Sequence, residues 1–234
     1  MASAGREQAI ALGLNAATAL GSPLLLEGLS HAYYKRAEKE TGFVVDPENQ
    51  RRAEAKKKAL LFAHSKDIGK AAPRPILNPG MGRGGSYQFD QEGEVDTLQH
   101  GPQASQFVLA HELGHRSIEA KPGFMQQVQR RTYGGAVHPL IQTATQIAAG
   151  AFAPSTRRAV ALGVGSGYLN QLGTIATEVE ATRRGAGYLK EAGIPISPAM
   201  RMAQLASYGV GTALEGARNV AIGRGLRAIA GQLT

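Results

Sequence analysis

The sequence predicts a mainly α-helical chain with one small β hairpin or sheet. Three observations carry this. Long stretches run without Pro and with helix-forming residues. Only one region, residues 73 to 100, combines dense Pro and Gly with short β-type runs. Two extended segments lack any charge and are joined by an Arg pair, the pattern of a helical hairpin.

In chain order, residues 8 to 26 carry no formal charge over 19 positions, interrupted only by Pro23. Gln8, Asn15, Thr18 and Ser22 dilute the run, so it reads as a buried or amphipathic helix, although its length could cross a hydrocarbon core. Residues 30 to 70 turn polar and basic and read as two helices split near "TGFVVDP"; residues 1–70 are expected to form an N-terminal helical extension. "PRPILNPGMGRGG" is loop, with a short strand at Pro75 to Leu77. "SYQFD" and "EVDTL" flank a Gly-containing turn and predict a hairpin over 86–98. "GPQASQFVLAHELGHRSIEA" follows as a helix stopped by Lys121-Pro122-Gly123.

From Thr132 to Thr156 there are 25 uncharged residues, then Arg157-Arg158, then 19 more from Ala159 to Thr177. The expectation is a helical hairpin over 132–177 with a basic tip, either packed as a core element or inserted in a membrane. Gly163 and Gly167, four apart, let another backbone approach one face. "TEVEATRRGAGYLKEAG" is a charged helix ending near Gly193. Ser197 as N-cap and Pro198 at the first helical position open one or two final helices.

The length of 234 residues fits a single domain spanning 1–234. A net charge of +8 admits nucleic acid, an anionic membrane surface or an acidic protein as partner. Nucleic acid is the weakest of these, because the Lys/Arg clusters are interleaved with Glu and no base-reading motif occurs. The start of the chain is a poor secretory signal, with Glu7 directly after Arg6, so the expected location is membrane-associated or cytoplasmic. With no Cys, a transition-metal site must use His and carboxylate.

The chemistry lies in "HELGH". His111 and His115, four apart on a helix, can aim both imidazoles at one ion. Glu112 sits about 100° round from His111, beside the ion, where it can take a proton from metal-bound water. Two imidazoles favour zinc over magnesium or calcium. The ordinary alternative is three polar residues on a plain helix, and the outcome turns on a third ligand. Glu178 is the stronger candidate, with Thr182 one turn later placed to hydrogen-bond a ligand imidazole. Glu180 is the rival but points about 200° away, where Arg183 and Arg184 can pair with it. His138 precedes a proline and is a minor candidate; His31, His64 and His100 have no partner spacing.

"HELGHRSIEA", the long uncharged hairpin, "LGTIATEVEATRRGAGYLKEAGI" and "AQLASYGVGTALEGA" together resemble the bacterial membrane-associated neutral zinc metallopeptidases, which are gluzincins. The resemblance covers roughly residues 86 to 217. It implies a zincin-like core plus a long helical hairpin, Zn2+ held by His111, His115 and Glu178, and Glu112 as general base. It departs from the family at Thr182, where the family has Ser or Asp. The expected activity is zinc-dependent endopeptidase cleavage of a peptide or protein substrate by Glu-assisted attack of zinc-bound water. Tyr208 is the expected oxyanion donor, with Tyr168 and Tyr133 as further candidates by residue type. The competing expectation is a non-catalytic membrane-inserting or assembly protein, such as a component of a phage particle or secretion apparatus, that reuses such a scaffold.

Overall fold

The computed structural model describes residues 2–89, 96–124, 127 and 137–233. Of the described residues 75% are helical, with a small three-stranded sheet. The elements are α1 (Ala2–Thr41), α2 (Gln50–Ile68), β1 (Pro75–Leu77), a 3-10 turn (Pro79–Met81), β2 (Gly85–Phe89), β3 (Asp96–His100), α3 (Gln106–Ala120), α4 (Val137–Phe152), α5 (Thr156–Glu191) and α6 (Pro198–Leu233). The break between α1 and α2 falls where Gly42 takes a φ of 79°, a conformation that only glycine adopts at little cost. The predicted hairpin forms as β2 and β3, antiparallel with Tyr87 opposite Leu98; its turn lies outside the described residues. The short strand Pro75–Leu77 adds to the other side of β3 in parallel, giving the order β1-β3-β2.

Charge returns after Thr177 without breaking the helix. The predicted second arm of the hairpin and the predicted charged helix are one element, α5, because no Pro or loop signal separates them. It ends at Glu191, where Gly193 (φ 72°) turns the chain and Ile194 N–H closes on Leu189 O at 2.7 Å. Ser197 caps α6, its hydroxyl accepting from Met200 N–H at 3.2 Å. Among the described residues no helix is long and apolar enough to cross a membrane.

The chain divides into two compact units. A site-bearing unit comprises Ser30–Val128 and Ala176–Leu205, and a helical unit comprises Met1–Leu29, Gln129–Ile175 and Ala206–Thr234. Each of α1, α5 and α6 contributes residues to both.

The site-bearing unit has a conventional core. Leu60, Leu98, Phe107, Leu109, Leu113 and Leu189 are fully buried together. Each such side chain removed from water contributes about 1.5–3 kcal/mol. Residues of α1 and α2, among them Ala37, Leu60 and Ala63, belong to the same cluster. The C-terminal half of α1 is locked to the start of α3: the Thr41 hydroxyl accepts from Phe107 N–H at 3.2 Å and donates to Ala37 O at 2.8 Å, and Tyr33 meets the Phe107 ring edge-on.

In the helical unit α4, α5 and α6 approach closely over small residues. A Cβ on Gly150 would lie 2.2 Å from Val220 O, and one on Gly223 would lie 2.0 Å from Ile147 O. Gly163 meets Val220 and Gly216, and Gly167 meets Gln146 and Thr212, so the predicted glycine face does admit a second helix. Two of the buried amides there bond to one another. Asn219 Nδ2 donates to Gln146 Oε1 at 2.6 Å, and Gln146 Nε2 donates to Gly163 O at 3.3 Å.

Candidate metal centre

α3 starts at Ser105, whose side chain accepts from Val108 N–H at 3.4 Å. The helix has an apolar face through Leu109, Leu113 and Ile118, and this buries the motif. One turn apart, His111 and His115 bring their Nε2 atoms to 3.1 Å, with ring planes at 89°. Glu178, on α5, completes a triangle: its Oε2 lies 3.1 Å from His111 Nε2 and 3.5 Å from His115 Nε2. His111, His115 and Glu178 form a group able to hold a metal ion. Glu178 Oε2 is buried and accepts no aligned hydrogen bond, and it lies within 3.5 Å of both imidazole Nε2 atoms.

Two glycines set this geometry. A Cβ on Gly114 would stand 2.1 Å from Ala181 O, and one on Gly185 would stand 2.6 Å from Ala110 O. The backbones of α3 and α5 therefore touch, each presenting a glycine to the other. Gly114 lies inside the motif, between the two histidines. Gly185 lies two turns beyond Glu178. Any larger residue at either position would move Glu178 away from the imidazoles.

The surrounding groups fix the ligands. Thr182 Oγ1 lies 3.3 Å from His111 Nδ1, in the position expected from its spacing to Glu178. Glu180 faces away. It receives Arg183 Nε at 2.7 Å and Arg184 Nε at 2.7 Å, and this pairing lowers its carboxyl to about 2. Arg184 also donates to Ser117 O at 2.7 Å and Lys121 O at 2.9 Å, closing the carbonyl end of α3.

Electrostatics divides the two carboxylates nearest the centre. Burial opposes ionisation of Glu178, but the two facing imidazoles outweigh it and hold the carboxyl far below the ordinary glutamate range. Burial likewise works against a charged His115, and the Glu178 carboxylate overcomes it and raises the imidazole. For Glu112 burial dominates and pushes the carboxyl up. Glu112 Oε2 accepts from Tyr87 N–H at 2.9 Å, and Gly85 leaves room for this: a Cβ there would meet Glu112 Cγ at 3.1 Å.

β2 is an edge strand. Gly101 N–H bonds Gly84 O across to the chain after β3, so by alternation the amides of residues 86 and 88 face β3 and that of Tyr87 faces outward, toward Glu112.

Tyr34 is a neighbour that sequence reasoning missed. Its phenol is raised first by burial and then by the charge of Glu112, with Arg83 pulling the other way. Arg83 Nε is 3.1 Å from Glu38, one turn along α1 from Tyr34. Tyr208 and Tyr168 belong to the helical unit, where Tyr168 donates to Gly209 O at 2.7 Å, and Tyr133 lies outside the described residues. Of the other histidines, His64 is buried with its ring edge-on to Tyr188, His100 Nδ1 contacts Gly101 O at 3.0 Å, and His31 is exposed. The side chain of His138 lies outside the described residues. Comparison with protein-family models, with curated proteins and with solved structures finds no match to this chain.

Proposed function

We propose that the chain is a zinc-dependent metallopeptidase with a zincin-like core. The observation that carries this is the size of the ligand triangle. Bonds of about 2.0–2.1 Å at the tetrahedral angle separate ligand atoms by about 3.3–3.4 Å. The observed edges of 3.1, 3.1 and 3.5 Å bracket that value. Two imidazoles and one carboxylate match catalytic zinc, which keeps its fourth position open. Bound there, zinc supplies Lewis acidity toward a water molecule and a scissile carbonyl.

The remaining work falls to the chain's own residues. His111, His115 and Glu178 hold the ion. Thr182 accepts from His111 Nδ1–H, and this tautomer leaves Nε2 for the metal. Glu112 takes a proton from the attacking water and returns it to the leaving amine nitrogen. Its burial suits this role, because a raised carboxyl is a stronger base. The outward-facing edge of β2 offers an extended peptide main-chain pairing next to Glu112.

The test is Glu112→Gln. The variant should keep the fold and the zinc and lose on the order of 10²–10⁴-fold in rate. Cleavage of a mixed peptide library at equal zinc occupancy measures it, and equal cleavage by both proteins rejects the mechanism.

A further inference from the structure

The helical unit has its polarity reversed. On α4 the buried face carries Gln142, Gln146 and Gly150, while Ile141, Ala144 and Phe152 are exposed. Gln146 is fully buried and Phe152, on the same helix, is 85% exposed. α5 turns Ala159 and Gly163 inward and Leu162 and Leu169 outward; α6 buries Thr212 and Asn219 and exposes Leu226 and Ile229. In water this arrangement forgoes burial of Phe152, Leu162, Leu169, Leu226 and Ile229, while Val220 is, among the described residues, the large apolar side chain it does bury, and it creates an apolar surface beyond the ordinary. Glycine contacts and amide-to-amide bonds between helices are how helices associate when the medium outside them is itself apolar.

Two further observations identify that medium. The outward apolar residues lie on three helices, whereas one docked protein segment would cover one face. An open groove of about 830 Å³ runs between α4 and α6, floored by Ala144, Ala148 and Ala151, with Arg227 as its one charged lining residue. Arg227 Nη1 donates to Ala153 O at 3.0 Å, so the guanidinium sits at the Phe152 end. Arg157 and Arg158 are exposed in the first turn of α5, just after that end. The sequence of this unit contains eight Arg and three Glu, with no Lys or Asp. An occupant with an apolar body and an anionic head complements this; a second copy would set like charges together.

Among the described residues no helix is long and apolar enough to cross a membrane. We propose that the helical unit docks on an anionic phospholipid bilayer by inserting its α4–α5 end into one leaflet, with an acyl chain in the α4–α6 groove and Arg157, Arg158 and Arg227 on headgroup phosphates.

Full-length protein is sedimented with phosphatidylcholine vesicles, with and without phosphatidylglycerol. Binding should require phosphatidylglycerol and should weaken with salt. Phe152→Asp should weaken it at least about ten-fold, and joint Arg157→Ala and Arg158→Ala substitution by roughly 30-fold, about five-fold per Arg. These three side chains are exposed, so circular dichroism should stay unchanged. Because the chain has no Cys, Phe152→Cys carries a single environment-sensitive fluorophore, which should shift blue on anionic vesicles; the same label at Lys58 should not. Three results overturn the proposal: no binding to either vesicle, equal binding to both without sensitivity to the Arg changes, or a concentration-dependent oligomer that Phe152→Asp dissolves while vesicles are ignored. Binding of monomeric dodecanoate without vesicle binding also overturns it.

Discussion

In the site-bearing unit Leu109, Leu113 and Ile118 lie inside and the ionised side chains lie around them. In the helical unit Gln146 and Asn219 lie inside and Leu162, Phe152 and Ile229 lie outside. The two units share one packing device, since both bring helix backbones into contact over glycine: Gly114 and Gly185 in the first, Gly150 and Gly223 in the second. They differ in what drives the helices together. Apolar burial drives the first, so its polar groups can be spent on a site. Close contact and amide bonds drive the second, leaving its apolar side chains for something else. The lesson is that glycine-mediated crossing sets distance and is neutral about polarity; the solvent outside decides which face turns in.

The largest expected effect tests the sharpest point of the site-bearing unit. Glu178→Ala should weaken zinc by more than the roughly 10–100-fold typical of losing a supporting residue, while Glu180→Ala should leave it nearly unchanged. Zinc titration against a competing chelator separates them, and equal losses would remove Glu178 from the ligand set.

Next in size is the shared packing device. Gly114→Ala drives a methyl against the Ala181 carbonyl and should cost about 3 kcal/mol. Gly165→Ala, on α5 with nothing within 4 Å, should gain roughly 0.5–1 kcal/mol. Urea midpoints that move in the same direction would break the claim that contact, and not glycine content, sets the cost.

A smaller effect addresses the polar interior. Gln146→Leu strands Asn219 and should destabilise by about 1–3 kcal/mol, and adding Asn219→Leu should recover most of it. If the double variant is no better than the single one, the amide pair does more than satisfy itself.

The smallest concerns Glu180. Its folded carboxyl is held at about 2, below the ordinary value of 4.5, by Arg183 and Arg184. A depressed carboxyl stabilises above its unfolded value, and that contribution is lost as pH falls from 4.5 toward 2. With Arg183 largely exposed, screening holds the effect to about 1 kcal/mol at most. Glu180→Gln should flatten the stability profile over that window and leave the neutral plateau within the same margin.

Much of the site was legible because helix periodicity is local. The i, i+4 spacing put His111 beside His115, and the same rule separated Glu178 from Glu180 and placed Thr182. Tyr34 was not legible: it reaches the neighbourhood of Glu112 through the packing of α1 on α3, and no local pattern encodes a helix-to-helix meeting. Gly185 looked like any glycine in a helix, since its partner, Ala110, lies far away in sequence. Continuity of α5 was missed because a change in charge content was read as a boundary, and charge does not end a helix. The reversed polarity of α4 was hidden for a related reason. In an uncharged run of Gln, Thr, Ala and Ile, periodicity gives two faces without saying which one turns inward. The small sheet followed from its hairpin, whereas the parallel pairing of three-residue β1 with β3 is too short to leave a signature.

The contact of α3 with α5 over Gly114 and Gly185 also bears on exchange kinetics. The ligand triangle is held by carbon and carbonyl contacts that need no ion, so if the site takes zinc as proposed, removing the ion should leave the ligands in place and the chain folded. Loading then requires only diffusion and loss of the ion's waters. A chelator should strip the centre reversibly without melting the fold, and reloading should be fast compared with any refolding step.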